Sequence, residues 1–378
     1  MFKTAYKFIR FDRAKSIGII TGIVISVFLI GQQLGTLGYL SGLMSGIVRN
    51  SNTQIAKIWV VDRRVNNANA LNTINYSLVN ELKSIPGVQE TYPILVINAE
   101  AKFAAGNVAP VTLLGSSAPA FILGPPQHLI VKGNLHDLMQ SGSVSADYFD
   151  KKNYKKPVQL GEMLEINGKQ AIINLETKSA QGFGTSFMFT SLENARYFSD
   201  SPSQNISAVL VQPNAGTVTD SLVNAINSHF SHVKAWKATD LQESSVSVIL
   251  KESSMGISFG SLIGFAVISG FFIIGLLLYS SAFDRIKDYG TLKAIGANNR
   301  YVSKLIICQA IIYAFIGFLI AVILLYLMKW GMASSGLILV ITPIMLLELL
   351  AMTLFICIGG SLFALQKIKK LEPASVFR

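Results

Sequence analysis

The sequence predicts a helical membrane protein: four transmembrane helices in a one-plus-three arrangement, with a large inserted α/β extracytoplasmic domain. Three observations predict this. Four long runs are apolar and nearly free of charge; a polar stretch, 49–252, separates the first run from the second; and basic residues collect on one side of the runs. Of 378 residues, 51% are hydrophobic and only 14% charged, against roughly 25% charged in an average soluble domain.

Residues 1–16 read as a cytoplasmic amphipathic N-terminal segment carrying Lys3, Lys7, Arg10, Arg13 and Lys15. No charge occurs from Ser16 to Val48, from Ser253 to Phe283 or from Leu305 to Met328, and Glu348 is the single charge from Trp330 to Gln366. A spanning helix needs about 20 mostly apolar residues, because lipid cannot satisfy unpaired backbone groups. The spans are therefore placed at 17–40, 257–282, 305–328 and 338–363, with a short outer turn at 329–337 and a tail at 364–378. The first run is too long for a cleaved signal peptide and lacks a small-residue cleavage site.

Charge orients the chain. The segment before span one, the 283–304 loop and the tail together hold 14 basic and 4 acidic residues, while 49–252 holds 17 and 16. The positive-inside bias places both termini and the 283–304 loop in the cytoplasm and the polar domain outside. The net charge of +11 thus serves topology, with anionic lipid contact second. No basic stripe or binding motif points to nucleic acid.

The outer domain, 41–256 with its stalk, reads as mixed α/β. Lys57–Asp62, Val88–Phe103, Val108–Leu114 and Ser207–Val211 are strand-like, and Val158–Ile173 is a hairpin turning at Asn167-Gly168. Tyr76–Ile85 and Thr217–Phe230 read as helices, and Gly124-Pro125-Pro126 as a loop. Two lobes are expected, crossing over near 105–160. Ser41–Asn50 and Gln242–Lys251 are expected to continue spans one and two as a stalk. The two cysteines, Cys308 and Cys357, lie in apolar runs, so no disulfide framework holds the domain.

Little in the chain carries catalysis. No Gly-x-x-x-x-Gly-Lys-Ser/Thr and no Cys-x-x-Cys occurs, and no nucleophile elbow is read. His229 and His232, without acidic or thiol companions, read as packing or surface residues, as do His128 and His136. No catalytic, cofactor or metal residue is assigned. Glu348 would cost about 2.5–3.5 kcal/mol in a span if ionised. A bundle-facing carboxylate is preferred over a proton relay, which needs further polar partners. Glycines recur four apart at Gly18/Gly22, Gly31/Gly35, Gly38/Gly42/Gly46 and Gly256/Gly260/Gly264. They mark either close helix packing, within a subunit or between two, or the ordinary glycine content of membrane helices.

The loop between spans two and three is the most informative segment. Asp284, Lys287, Asp288 and Thr291 would share one face of a helix, with Ile286, Tyr289 and Leu292 opposite and Gly296 ending it. Either a short amphipathic surface helix or a solvated loop satisfies this pattern. The stretch Asp288-Tyr289-Gly290-Thr291-Leu292-Lys293-Ala294-Ile295-Gly296-Ala297 resembles the signature of the MacB/FtsX-like ABC transporter permeases, departing at Asp288, where Glu is commoner, and at Asn298. The ending Leu371–Arg378, the entry Arg10–Ile23 and the one-plus-three layout are similar too; within the outer domain the likeness is limited to strand order and Gly161–Gly168.

The resemblance implies a homodimeric permease of the bacterial inner membrane, working with a separate cytoplasmic ABC ATPase that binds ATP and Mg. This chain would bind no cofactor and perform no hydrolysis. Asp284, Arg285, Lys287, Asp288, Tyr289, Gly290, Leu292, Lys293, Ala294, Gly296 and Ala297 would form the coupling helix. Gly31, Gly35, Gly38, Gly42, Gly256, Gly260 and Gly264 would serve packing or dimerisation. The expected work is export or extraction of a lipoprotein, lipid, peptide or small hydrophobic compound, with a periplasmic adaptor or outer-membrane channel as further partners. The alternative is transmembrane signalling to a cell-wall hydrolase or sensor. A membrane-anchored enzyme is disfavoured, since no catalytic grouping is visible.

Overall fold

The computed structural model describes residues 2–11, 13–103, 106–150, 157–332 and 336–369. The chain divides into two compact units, residues 1–39 with 256–378 and residues 40–255. The N-terminal segment is a helix, α1 (Phe2–Phe11), with Ala5 and Ile9 buried and Tyr6, Lys7, Arg10 and Phe11 exposed. Helix α2 (Arg13–Met44) follows. Its 32 residues rise about 48 Å, more than the roughly 30 Å of a bilayer core. A single-residue break at Ser45 separates α2 from α3 (Gly46–Arg49).

The outer domain is built on a ten-stranded sheet. Strand β1 (Ile58–Asp62) is followed by the short β2 (Ile74–Asn75), helix α4 (Leu78–Lys83) and the long β3 (Val88–Lys102). Next come β4 (Val108–Ser116), β5 (Ile130–Gly133), β6 (Ser143–Asp147), β7 (Met163–Ile166), β8 (Lys169–Thr177) and β9 (Ser186–Ser191). Helix α5 (Leu192–Ser199), β10 (Asn205–Ile206), β11 (Ala208–Pro213), α6 (Thr219–His229), β12 (Val233–Lys237) and α7 (Ala238–Glu252) complete it.

There are two lobes. In one, β12, β1, β11 and the first half of β3 pair antiparallel, and α4 and α6 cover one face. Ile58 and Val60 of β1 join Leu78, Leu82, Leu222 and Ile226 there, while Trp59 and Val61 enter the core on the other face. Successive side chains point to opposite sides, so a strand covered on both must be apolar throughout, as Ile58-Trp-Val-Val61 is. In the other lobe, β3 pairs with β4 and β7, β4 with β9, β7 with β8, and β8 with β6. Phe189 donates its backbone N–H to Ser145 Oγ (2.8 Å) and Thr190 its hydroxyl to Ser143 O (2.6 Å), which joins β9 to β6 and closes the ring. Ala101, Leu113, Val144, Ile166, Ile173 and Met188 fill it.

The crossover lies within β3 rather than near 105–160. Ile94 pairs with Ala208 on one side and Ser116 on the other, so one strand passes from lobe to lobe without a linker. The Asn167-Gly168 turn forms as expected, both residues having positive φ (48° and 78°). Strand β6 is invisible to hydropathy. Its Ser-Val-Ser-Ala-Asp is wholly buried: Ser145 Oγ and the Ser143 carbonyl bond β9, and the Asp147 carboxylate bonds Phe149, Thr177 and Ala180. The stalk segments are helical: α3 packs on α7, and Ser254, with φ +55°, interrupts the helix after α7.

The remaining helices are α8 (Met255–Asp284), α9 (Ile286–Ala294), α10 (Asn299–Met332) and α11 (Pro343–Lys369). Among the described residues four helices, α2, α8, α10 and α11, are long and apolar enough to cross a membrane. Helix α11 starts five residues later than the expected span. Pro343 occupies its first position, where a missing N–H costs nothing, and Thr342 Oγ1 accepts the Met345 N–H at 3.2 Å. The preceding segment instead lies along α2, with the Val340 N–H on Gly35 O at 3.2 Å. Ile23, Val27 and Ile30 of α2, Ile274 of α8, Ala314 and Leu325 of α10 and Leu349 of α11 form the helical core. Large apolar side chains such as Phe265, Leu276, Leu319 and Phe355 face outward, a surface suited to lipid. The tail Leu371–Arg378 lies outside the described residues, as does part of the 329–337 turn.

Candidate functional site

The loop after α8 folds as a helix because its ends are specified. Arg285 breaks from α8, and Tyr289 N–H bonds Arg285 O at 3.1 Å to start α9. At the far end Gly296 takes φ +101°, Ala297 N–H reaches back to Leu292 O (2.9 Å) and Gly296 N–H to Lys293 O (3.1 Å). This is the paired closure that a left-handed glycine permits. Asp288 in the first turn and Lys293 in the last suit the helix dipole, each contributing about 0.3–1 kcal/mol.

The two faces of α9 differ. Lys287, Asp288, Thr291 and Ile295 are exposed, whereas Tyr289 and Gly290 are buried and Arg285, Leu292 and Lys293 half-buried. The Tyr289 ring stacks on Phe8 of α1 with centroids 5.9 Å apart and planes at 24°. Such a pair is worth about 0.5–1.5 kcal/mol beyond area burial. The Arg285 guanidinium lies 5.2 Å from the Phe8 ring centroid and 5.8 Å from that of Phe11. Ala5, Ala282, Val302, Leu305, Ile306 and Leu365 complete the seat. Burial pushes the Tyr289 hydroxyl up to about 12, against Arg285 and a hydrogen bond with Gln309, so it stays protonated across the physiological range. Nearby, Ser16 Oγ donates to Ile9 O (2.8 Å) and lies 2.8 Å from the Tyr313 hydroxyl. Since the serine proton is committed to Ile9, Tyr313 donates to Ser16. Asp284 pairs with Lys15; both are about half exposed, so the bridge adds little.

Sequence reasoning found the exposed face of α9 but not its seat. Phe8, Ser16, Gln309 and Tyr313 were missed; the signal for Phe8 was the Ala5–Phe8–Ile9 spacing on α1. The glycines divide. A Cβ on Gly31 would meet Leu325 and Leu349 (2.6 and 3.1 Å), one on Gly35 would meet Leu339 (2.8 Å), and one on Gly38 would meet Val340 (3.3 Å). These three accept neighbours within the chain. Gly42 lies under the Arg49 guanidinium (2.6 Å), while Gly260 and Gly264 have nothing within 4 Å; Gly256, also exposed, is in the first turn of α8. Close approaches at Gly317 to Ile23 and at Gly360 to the Gly275 backbone (3.0 Å) were not anticipated. Glu348 is exposed on α11 rather than facing the bundle. It sits about 8 Å along the helix from Pro343, near enough to the end for the carboxylate to reach headgroups without an internal partner.

Other candidates resolve locally. The Gly-x-Ser-x-Gly pattern, read above as absent, is spelled by Gly256-Ile257-Ser258-Phe259-Gly260, but it lies inside α8, without the strand-to-helix turn the motif requires. His229 and His232 pack edge-on against Phe230, at 4.9 and 6.0 Å. Among the described residues of the outer domain, three carboxylates are buried without any local sequence signal: Glu176, which pairs with Lys132 at 2.7 Å, and Asp147 and Asp150. Asp147 accepts from Ala180 N–H (2.8 Å), Phe149 N–H (3.1 Å) and Thr177 Oγ1 (3.1 Å), and burial raises its pKa. Asp150 accepts from Ser186 Oγ at 2.7 Å, and burial, with the Asp147 charge adding, lifts it to about 7.

Residues 260–373 match the family described as FtsX-like permease C-terminal. Over these residues the chain is similar to the FtsX-like permeases. The match covers most of α8 together with α9, α10 and α11, so the helix with two unlike faces lies inside it. No curated protein matches the chain. Among solved structures, the periplasmic region of MacB from Actinobacillus actinomycetemcomitans is 13% identical, covering 52% of this chain and 94% of that one with a TM-score of 0.39. The extracellular domain of the ABC-type transporter YknZ from Gram-positive bacteria is 15% identical, covering 48% and 99% with a TM-score of 0.36. Of the four described helices long enough and apolar enough to cross a membrane, α8, α10 and α11 lie largely within the matched segment.

Proposed function

We propose that this permease couples ATP hydrolysis by a separate cytoplasmic ATPase to mechanical work on the extracytoplasmic side, with α9 as the coupling helix. The observation that carries this is the two-faced character of α9. Its Tyr289 side is seated in the membrane unit, and its Lys287, Asp288, Thr291 and Ile295 side is exposed to a partner. A short rigid helix joined to a span is the kind of element that transmits displacement. The excess of basic residues around α1 and α9 supports a cytoplasmic position for both. ATP and Mg would be held by the partner. The open Gly260 and Gly264 support pairing with a second permease copy, and export or extraction of a lipoprotein, lipid, peptide or small hydrophobic compound is the work that this architecture suits.

The test is Asp288→Lys in the full-length permease, reconstituted with the cytoplasmic ABC ATPase that co-purifies with the wild-type chain. Reversing a charge on the exposed face should weaken association by roughly tenfold and lower permease-dependent ATPase stimulation. Unchanged association and stimulation would remove Asp288, and with it this face, from the contact.

A further inference from the structure

Helix α9 is joined covalently to α8 at Arg285, and that route alone would pass movement to the second span. A second route runs through side chains. On α1, Ala5, Phe8 and Ile9 turn inward. Phe8 stacks on Tyr289 at 5.9 Å and has the Arg285 guanidinium 5.2 Å from its ring. Tyr289 is hydrogen-bonded to Gln309 of α10 and is 1% exposed. The carbonyl of Ile9 accepts from Ser16 of α2, which accepts from Tyr313 of α10. At the junction with α8, Asp284 pairs with Lys15 of α2. Together these contacts tie α8, α9 and α10 to α1 and α2, and none involves the exposed face of α9.

We propose that α1 is a clip that makes α9 move as one body with the first and third spans, Phe8 and Tyr289 being its positioning residues. The buried Tyr289 ring and the half-buried Phe8 ring stacked on it, among close-packed neighbours, cannot slide independently without opening a void. A push on Asp288 therefore reaches α2 through Phe8 and α10 through Tyr289, as well as α8 through the backbone. The sequence shows why α1 can serve both sides: its inward residues fall at helical spacing, and its outward Lys7 and Arg10 keep the helix at the membrane surface. This proposal rests on the coupling role of α9.

The experiment uses full-length permease and its ATPase in nanodiscs, reading association and stimulated kcat separately. Phe8→Ala and Tyr289→Ala should leave association near the wild-type value, since Lys287, Asp288 and Thr291 are untouched, while stimulation falls about tenfold. Tyr289→Phe, which keeps the stack, should restore most of it; a merely structural role for the hydroxyl would not predict that rescue. Phe8→Leu, which keeps much of the bulk without the ring, should lower stimulation as Phe8→Ala does, while Phe8→Tyr, which keeps the ring, should retain it. Full stimulation in a folded Phe8→Ala or Phe8→Leu variant, or its loss in Phe8→Tyr, would overturn the proposal. Should Phe8→Ala fail to fold, the Phe8→Leu and Phe8→Tyr pair decides alone. Wild-type permease that neither binds nor stimulates the ATPase would remove the coupling role itself, and the clip with it.

Discussion

The two units hold themselves together by opposite means. In the outer domain, bulk is buried: Trp59, Phe187, Phe189 and Phe198 are fully enclosed, and Phe187 alone fills the space over Gly46 (3.0 Å) and against Gly182. In the membrane unit, backbones approach where side chains are missing, at Gly31, Gly35, Gly317 and Gly360. Water rewards removal of apolar area, so large side chains carry the outer domain. Lipid gives no such reward for helix contact, leaving close packing as the attraction between spans.

That contrast can be broken, beginning where the largest effect is expected. Phe187→Ala should cost about 3–5 kcal/mol, seen as a lower melting temperature and early proteolysis of the outer domain. A loss below about 1 kcal/mol would mean that the lobe collapses around the void and that enclosed bulk is not what holds it.

The next effect is pH-dependent and confined to the outer domain. Burial lifts the Asp150 carboxyl to about 7 in the folded chain, from an ordinary value of 3.8. Between roughly pH 4 and pH 7 the folded chain keeps a proton that the unfolded chain has released, so stability falls as pH rises through that window and levels off above it. Asp150→Asn should flatten this slope, stabilising the domain at pH 8 and changing it little at pH 4, as read from unfolding midpoints across pH. Parallel pH profiles for the two proteins would place the titration elsewhere.

The smallest effect sharpens the membrane side. Gly360→Leu must push the α11 backbone away from Gly275 and should cost about 1–3 kcal/mol, measured as thermal inactivation of the detergent-solubilised protein. Gly264→Leu, with nothing within 4 Å, should leave the isolated chain unchanged. Equal losses from both would show that glycine content, rather than backbone proximity, governs these helices.

The same contrast explains what the sequence disclosed. The spans were legible because lipid imposes a minimum apolar length and tolerates no unpaired backbone, a constraint that shows in the residue types of each run. Their ends were less so, since the late start of α11 depends on Thr342 and Pro343 acting together against α2. In the outer domain, β1, β3, β4 and the β7–β8 hairpin were readable from β-branched runs and turn residues. Strand β6 was not, because the Ser145 hydroxyl and the Ser143 carbonyl are buried against hydrogen-bond partners that lie 44 to 47 residues away. At the loop helix, Gly296 and the spacing of polar residues announced an ending and an outer face. The inner face needs Phe8, about three quarters of the chain distant from Tyr289, and no local pattern encodes that meeting.

The long strand shared by both lobes gives the outer domain a mechanical grain. Hydrogen bonds in an antiparallel ladder lie across the strand direction, so tension along β3 is resisted by its rungs together, as shear. The same tension applied sideways at Lys102, where the short β7 grips only Ala101 and Lys102, would part the rungs one after another. Whatever pulls on the far lobe meets a stiff material in one direction and a zip in the other.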